Sequence, residues 1–193
     1  MRRGRASWCG VGWVQVRPSA TRGPIIVCLD TSGSMMGARE TVAKAMTLEC
    51  LRQAHSQKRA CFVYAFSGPG AVEEMELAVD AQSMAKLLQF LTMSFNGGTD
   101  ADEPLWRSLA RLRDDQWADA DILMVTDGEI RPPSAELIDS LAEAKSELGL
   151  KVHGLLVGDR GDPEVMDAIC DLTHSFQAWD KVDGRPPSRT ARS

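Results

Sequence analysis

The stretch Val27-Cys28-Leu29-Asp30-Thr31-Ser32-Gly33-Ser34 decides how the rest of this chain is interpreted. Its apolar beginning, bounded by polar and glycine residues, is typical of a buried β-strand. One carboxylate and two hydroxyls then follow at alternate positions. These are hard oxygen ligands, which suit a cation such as Mg²⁺. The stretch therefore predicts a buried strand whose carboxyl end carries part of a metal site.

Two later segments supply matching oxygen ligands. The segment Asn96-Gly97-Gly98-Thr99-Asp100 is a glycine turn that places a threonine hydroxyl before a helical segment. The apolar run Ile122-Leu123-Met124-Val125 predicts a second buried strand, and Asp127 follows it directly before a glycine. In an open α/β sheet, loops from neighbouring central strands converge at one edge. We therefore expect Asp127 beside Asp30, with Thr99 across from them.

In this order, the set resembles the metal-ion-dependent adhesion site of von Willebrand factor A (VWA) domains, over about residues 24–180. The ligands that the resemblance implies are Asp30, Ser32, Ser34, Thr99 and Asp127. It implies that the two serines coordinate Mg²⁺, or Mn²⁺, directly. The two aspartates would act largely through water, and the threonine directly or through water. A partner's Asp or Glu would complete the coordination shell, so the implied function is metal-dependent protein–protein interaction.

Two acidic residues adjoin these predicted ligands without belonging to the family pattern. They are Asp100, next to the threonine, and Glu129, two positions after the last aspartate. Both are candidates to orient the ligands from outside the coordination shell.

Three segments are similar to the ViaA-type branch of the family. They are Gly23–Met35, Phe95–Asp100 and Trp117–Asp121. ViaA-type proteins are intracellular adaptors for MoxR-type AAA+ ATPases. The resemblance therefore implies an adaptor for such an ATPase, or a factor that assists assembly of a complex.

The order of elements predicts an α/β, Rossmann-like fold with a mostly parallel central sheet and helices on both faces. Predicted strands lie at 24–30, 61–66, 72–79, 121–126, 151–157 and 174–179, and predicted helices at 39–55, 83–91, 101–114, 132–148 and 162–170. The short turn at 67–70 favours one antiparallel strand at the sheet edge. We expect residues 1–23 to form a disordered or targeting-like basic leader, 24–180 the VWA domain, and 181–193 a disordered tail.

The composition limits the kinds of partner and the cellular compartment that we expect for this protein. The net charge of −5 argues against nucleic-acid binding. No apolar run approaches the roughly 20 residues that span a bilayer. The five cysteines are odd in number and contain no CxxC pair, which predicts free thiols in a reducing compartment. We therefore expect an intracellular, cytoplasmic protein, or an organellar one if the Arg-rich leader is a transit peptide.

An enzyme is the competing interpretation, because a strand that ends in aspartate also begins phosphoaspartate phosphatases. Dehalogenase-like phosphatases would need a second aspartate where this chain has Ser32. The chain contains no Gly-x-Ser-x-Gly elbow, P-loop or HExxH motif. The three histidines, predicted to be solvated or packed in the core, are His55, His153 and His174. We expect no catalysis; the alternatives are a metal-dependent phosphoester hydrolase and a VWA fold with a vestigial metal site.

Overall fold

A computed structural model describes residues 23–77, 98–158 and 161–176 of the chain. Within these ranges the strands are β1 (Ile25–Asp30), β2 (Cys61–Phe66), β3 (Val72–Leu77), β4 (Asp121–Thr126), β5 (Val152–Val157) and β6 (Leu172–Phe176). The helices are α1 (Ala38–Ser56), α2 (Asp102–Arg111), α3 (Ala135–Glu147) and α4 (Pro163–Ile169). The predicted helix at 83–91, most of the leader and the tail lie outside the described residues.

The sheet has the strand order β3-β2-β1-β4-β5-β6. Every pair is parallel except β2 with β3, which confirms the predicted antiparallel edge strand. The chain leaves β1 for β2 on one side and later returns to β4 on the other side. The neighbouring strands β1 and β4 therefore form the switch point of the sheet. In open α/β folds, ligands bind beyond the carboxyl ends of the strands at this point.

Strand β1 is buried on both faces, as its apolar sequence predicts. Ile26 and Cys28 face a core that α2, α3 and α4 cover. Val27 and Leu29 face a second core that α1 covers. Helices thus lie on both faces of the sheet, which confirms the predicted layers and leaves the carboxyl ends of the strands as the edge where loops meet.

Helix α1 presents a different face from the predicted one. Four-residue spacing predicts burial of Val42, Met46, Cys50 and Ala54, but the first three are only half-buried. The buried positions are instead Arg39, Ala43, Thr47, Leu51 and Ala54. The small side chains of Ala43 and Thr47 let the helix approach the sheet, so larger apolar residues flank the contact.

The sequence of α3 predicts that Ser134 caps the helix and that its buried stripe consists of Leu137, Leu141, Ala144 and Leu148. The predicted cap and the predicted burial of Leu148 are wrong. Ser134 makes no side-chain cap for this helix. Its backbone N–H instead donates to the carboxylate of Asp102, at 3.1 Å. Leu148, expected on the buried stripe, is 54% exposed because the helix ends before it. Leu137, Leu141 and Ala144 are buried as predicted.

Four cysteines fall within the described residues, and all four are free thiols. They are Cys28, Cys50, Cys61 and Cys170. This confirms the free-thiol prediction for these four, while Cys9 lies outside the described residues. In the part of the chain that the structure describes, no helix has the length and apolar character needed to cross a bilayer.

Candidate metal centre

Asp30 and Asp127 lie at the carboxyl ends of the two central strands. Pairing of β1 with β4 aligns Leu29 with Val125, so the two strands end side by side. The relative exposure of Asp30 is 1% and that of Asp127 is 0%. Buried carboxylates are costly unless a cation or several hydrogen-bond donors compensate them. The predicted adjacency of the two acids therefore creates a local demand for positive charge.

The Asp30 carboxylate is held by two donors. The backbone N–H of Ser32 donates to Oδ1 at 2.9 Å, and the Thr126 hydroxyl donates to Oδ2 at 2.6 Å. Desolvation by burial nevertheless raises the pKa of Asp30 from 3.8 to about 6, although these hydrogen bonds oppose the shift. A cation in this place would offset the desolvation.

The Asp127 carboxylate is also held by two donors. The backbone N–H of Glu129 donates to Oδ1 at 3.0 Å. A guanidinium nitrogen of Arg39 donates to Oδ2 at 3.1 Å. In both aspartates, each carboxylate oxygen already accepts one hydrogen bond. This arrangement agrees with a role in which the aspartates hold metal-bound water.

The turn after Asp127 depends on glycine. Gly128 has φ +79°, and a Cβ there would lie 2.6 Å from the Gly161 Cα and from Leu156 Cδ1. Its N–H donates to the Thr126 hydroxyl at 3.0 Å. The Asp-Gly sequence thus fixes the direction of the turn and holds the hydroxyl that donates to Asp30.

The two serine hydroxyls lie close together in the loop after β1, where they form a hydrogen bond with each other. The hydroxyl oxygens of Ser32 and Ser34 are 3.1 Å apart. Neighbouring ligands of an octahedral Mg²⁺ ion lie about 3.0 Å apart when each metal–oxygen bond is about 2.1 Å. Thr31 fixes the start of this loop, because its N–H and hydroxyl both donate to the Phe66 carbonyl at 2.9 Å. The residues present therefore fit Mg²⁺ in donor type and in spacing.

Thr99 lies on a loop that is attached to the same edge of the sheet. Its relative exposure is 9%. The next residue, Asp100, donates its N–H to the Ser67 carbonyl at 2.7 Å. Gly98 lies beside Gly68, since a Cβ on Gly68 would make an ordinary contact of 3.5 Å with the Gly98 nitrogen. Because Ser67 follows β2, the neighbour of β1, the loop approaches the edge where Asp30 lies.

The two adjoining acids have different surroundings. The Asp100 carboxylate accepts from the Asp102 N–H at 3.1 Å and from Arg131 at 3.3 Å, so it serves the start of α2. Glu129 lies 3.8 Å from a guanidinium nitrogen of Arg39, and its side chain is 40% exposed. Of the two, only Glu129 shares a charged partner with a predicted ligand.

Sequence reasoning missed Arg39 and Thr126, which hold Asp127 and Asp30 respectively. Thr126 carried a usable signal, since it occupies the same level of β4 as Asp30 does of β1. Arg39 lies on the buried face of α1, four positions before Ala43, and its charge gave no apolar signal by which to assign it to that face. Within 23–77, 98–158 and 161–176, no group of three or more His, Cys, Asp and Glu side chains could hold a metal. The candidate centre therefore depends on hydroxyl ligands.

Comparison with known proteins gives a consistent result. The family profile described as the von Willebrand factor type A domain matches residues 25–129. Regulatory protein ViaA from Proteus mirabilis (strain HI4320) is 31% identical over 145 residues, which cover 75% of this chain and 29% of that protein. The chain thus spans less than a third of the length of this relative.

Two solved structures show the same fold at low identity. A von Willebrand factor type A protein from Catenulispora acidiphila superposes with a TM-score of 0.62 and 20% identity, over 84% of this chain and 40% of that chain. The pilus adhesin SpaC from Lactobacillus rhamnosus GG gives a TM-score of 0.64 and 16% identity, over 82% of this chain and 28% of that chain. These likenesses confirm the Rossmann-like arrangement of strands and helices.

Proposed function

The chain belongs to the von Willebrand factor type A domain family, and we propose that it binds an acidic side chain of a protein partner through Mg²⁺. The observation that carries this proposal is the 3.1 Å separation of the Ser32 and Ser34 hydroxyl oxygens beside two buried carboxylates. Four oxygen-bearing side chains from two strand ends thus lie at the same edge of the sheet, and all four are of the type that Mg²⁺ takes as ligands. The family and the regulatory relative favour a non-catalytic role in which a protein partner is plausible.

Each residue has a distinct part in the proposed site. Ser32 and Ser34 would hold Mg²⁺, or Mn²⁺, through their hydroxyls. Asp30 and Asp127 would hold metal-bound water, since their oxygens already accept hydrogen bonds. Thr99 would reach the ion directly or through water. When bound, the ion supplies a Lewis-acidic centre with a coordination position for a carboxylate of the partner.

The partner that we propose is a MoxR-type AAA+ ATPase, with this chain as its cytoplasmic adaptor or as a factor in complex assembly. Support comes from the 31% identity to a protein named Regulatory protein ViaA. Because the chain spans only 29% of that relative, the role of the whole relative is part of the proposal.

Calorimetric titration of Mg²⁺ and Mn²⁺ tests the site. The wild type should show saturable binding. The Ser32→Ala/Ser34→Ala variant should lose at least about 100-fold in affinity, because loss of outer partners alone costs 10- to 100-fold. A Ser56→Ala/Ser146→Ala variant is the matched control, since both hydroxyls donate to carbonyls of their own helices. Equal affinity in all three chains would refute the assignment of the ligands.

Two assays distinguish the adaptor role from the alternative that the protein is a hydrolase. Capture of a purified MoxR-type ATPase in Mg²⁺ but not in EDTA supports the adaptor role, and absence of capture in both buffers contradicts it. Turnover of a generic phosphoester that Asp30→Ala abolishes would instead support the hydrolase alternative. We expect capture that requires metal and no turnover.

A further inference from the structure

Arg39 joins the two loops that carry the candidate ligands. It lies near the start of α1 and is 7% exposed. One guanidinium nitrogen donates to the Ser34 carbonyl at 2.9 Å and to Asp127 Oδ2 at 3.1 Å. A single cation is thus bonded both to the serine loop after β1 and to the carboxylate after β4.

The fold encloses this guanidinium. Gly158 follows β5 with φ +113°, and a Cβ there would lie 3.2 Å from Arg39 Nε. The N–H of Gly158 donates to the Phe176 carbonyl at 2.7 Å, which fixes this segment beside β6. Arg39 is therefore packed against the segment that follows β5, unlike an arginine on the surface.

The carboxylates near Arg39 determine its electrostatic effect on the site. Asp127 is bonded to it, Asp30 belongs to the adjoining strand end, and Glu129 lies 3.8 Å away. An unpaired buried carboxylate is strongly destabilising, so the guanidinium compensates Asp127 when no metal is present. The same fixed positive charge opposes a divalent cation that approaches the same carboxylates.

We propose that Arg39 is the resident counter-ion of this site, which stabilises the metal-free protein and lowers its affinity for Mg²⁺. The inference rests on the proposed function, in which these ligands take Mg²⁺. Arg39 acts through Asp127 and the Ser34 loop, so it is a positioning residue. When Asp30, Asp127 and Glu129 are ionised, these three carboxylates and the Arg39 guanidinium together carry a net charge of −2. One Mg²⁺ ion neutralises that charge.

The test combines metal titration with thermal unfolding of variants. Arg39→Met removes the charge and retains much of the volume. We expect it to lower the melting temperature in EDTA and to tighten Mg²⁺ binding about tenfold, which corresponds to about 1.4 kcal/mol. Arg39→Lys keeps the charge and should bind Mg²⁺ within about threefold of the wild type, although it loses the planar fork.

Arg59→Met is the matched control. Arg59 forms a partly buried ion pair with Asp121, at 3.2 Å, at the start of β4 and hence far from the strand ends. This variant should lose thermal stability without any change in Mg²⁺ affinity. If Arg39→Met does not fold, Arg39→Gln replaces it, because it also removes the charge and keeps a polar group in this buried position.

The outcomes separate the two proposals. Tighter Mg²⁺ binding by Arg39→Met supports the counter-ion role, even if the wild type itself binds no metal; that pattern would refute only the metal-dependent function. Wild-type binding with equal or weaker affinity in Arg39→Met overturns the counter-ion role and leaves the function standing. Absence of binding in every chain at millimolar metal overturns both.

Discussion

The buried Asp30 carboxylate should make the metal-free protein less stable as the pH rises from about 4 to 6. Desolvation raises the pKa of this group from 3.8 to about 6. Between these values the native state keeps a proton that the unfolded state has lost, so each step up in pH favours unfolding. Below pH 3.8 both states are protonated, and the stability that Asp30 contributes is fully present. At 1.36 kcal/mol for each pH unit, the loss above pH 6 amounts to about 3 kcal/mol.

The assay is urea unfolding in EDTA at several values between pH 4 and pH 7.5, followed by tryptophan fluorescence. Other carboxylates also titrate in this range, so the informative quantity is the difference between the wild type and Asp30→Asn. The variant lacks the titrating group, and it should gain up to about 3 kcal/mol relative to the wild type as the pH rises. The gain will be smaller if the new amide leaves the Ser32 N–H or the Thr126 hydroxyl without an acceptor.

Magnesium provides the internal control for this prediction. A divalent cation beside Asp30 favours the ionised form, so saturating Mg²⁺ should reduce the pH dependence of the wild type and leave Asp30→Asn unchanged. Parallel pH profiles for the two proteins in EDTA would refute the reasoning, because burial would then impose no cost on the charged carboxylate.

Two further perturbations test the turn and the surface beside the site. Gly128→Ala should cost at least about 2 kcal/mol in urea unfolding, because a Cβ would meet Gly161 at a backbone that already favours glycine. Gly70→Ala, with φ +74° and open space around it, should cost only about 1 kcal/mol; equal costs would contradict the steric argument. Met36 is 63% exposed in the loop after the serines, so Met36→Ser should weaken metal-dependent capture of a partner by about 1 kcal/mol. Leu148→Ser, at the other end of the strands, should leave capture unchanged, and a similar loss in both variants would exclude a specific role for Met36.

The fold could be predicted from the sequence because apolar runs and turn residues identify strands well. Strand β4 has the predicted bounds, Asp121–Thr126, and β2 has the predicted bounds, Cys61–Phe66. The short Ser67–Gly70 turn correctly predicted an antiparallel pair. These predictions are correct because a buried strand must be apolar on both faces. Few other structures produce such short uninterrupted apolar runs.

The buried face of α1 could not be predicted from apolar spacing. The contact with the sheet is made by small or polar residues, among them Ala43 and Thr47, which carry little hydrophobic signal. Larger side chains such as Val42 and Met46 lie beside the contact, where they are half-buried. The helix phase is therefore determined by how closely backbone and sheet approach, a property that depends on tertiary packing.

The ligand residues could be found from the sequence more directly than their counter-ion. A ligand at a strand end is placed by the strand itself, since parallel pairing brings Asp30 and Asp127 to one edge whatever the helices do. An arginine on a helix reaches the same edge only if its face of the helix is inward. Arg39 lies three positions before Val42, so apolar spacing is compatible with an inward position, but a charged residue adds nothing to the apolar pattern by which that face was identified. Yet two adjacent buried carboxylates require positive charge even without metal, so the sequence did contain a reason to look for one. Among the bases in the first two turns of α1, only Arg39 and Lys44 are candidates, and Lys44 instead pairs with Glu40. Charge balance at a predicted cluster of acids therefore complements periodicity as a guide to such a residue, because it follows from electrostatics that any correct fold must satisfy.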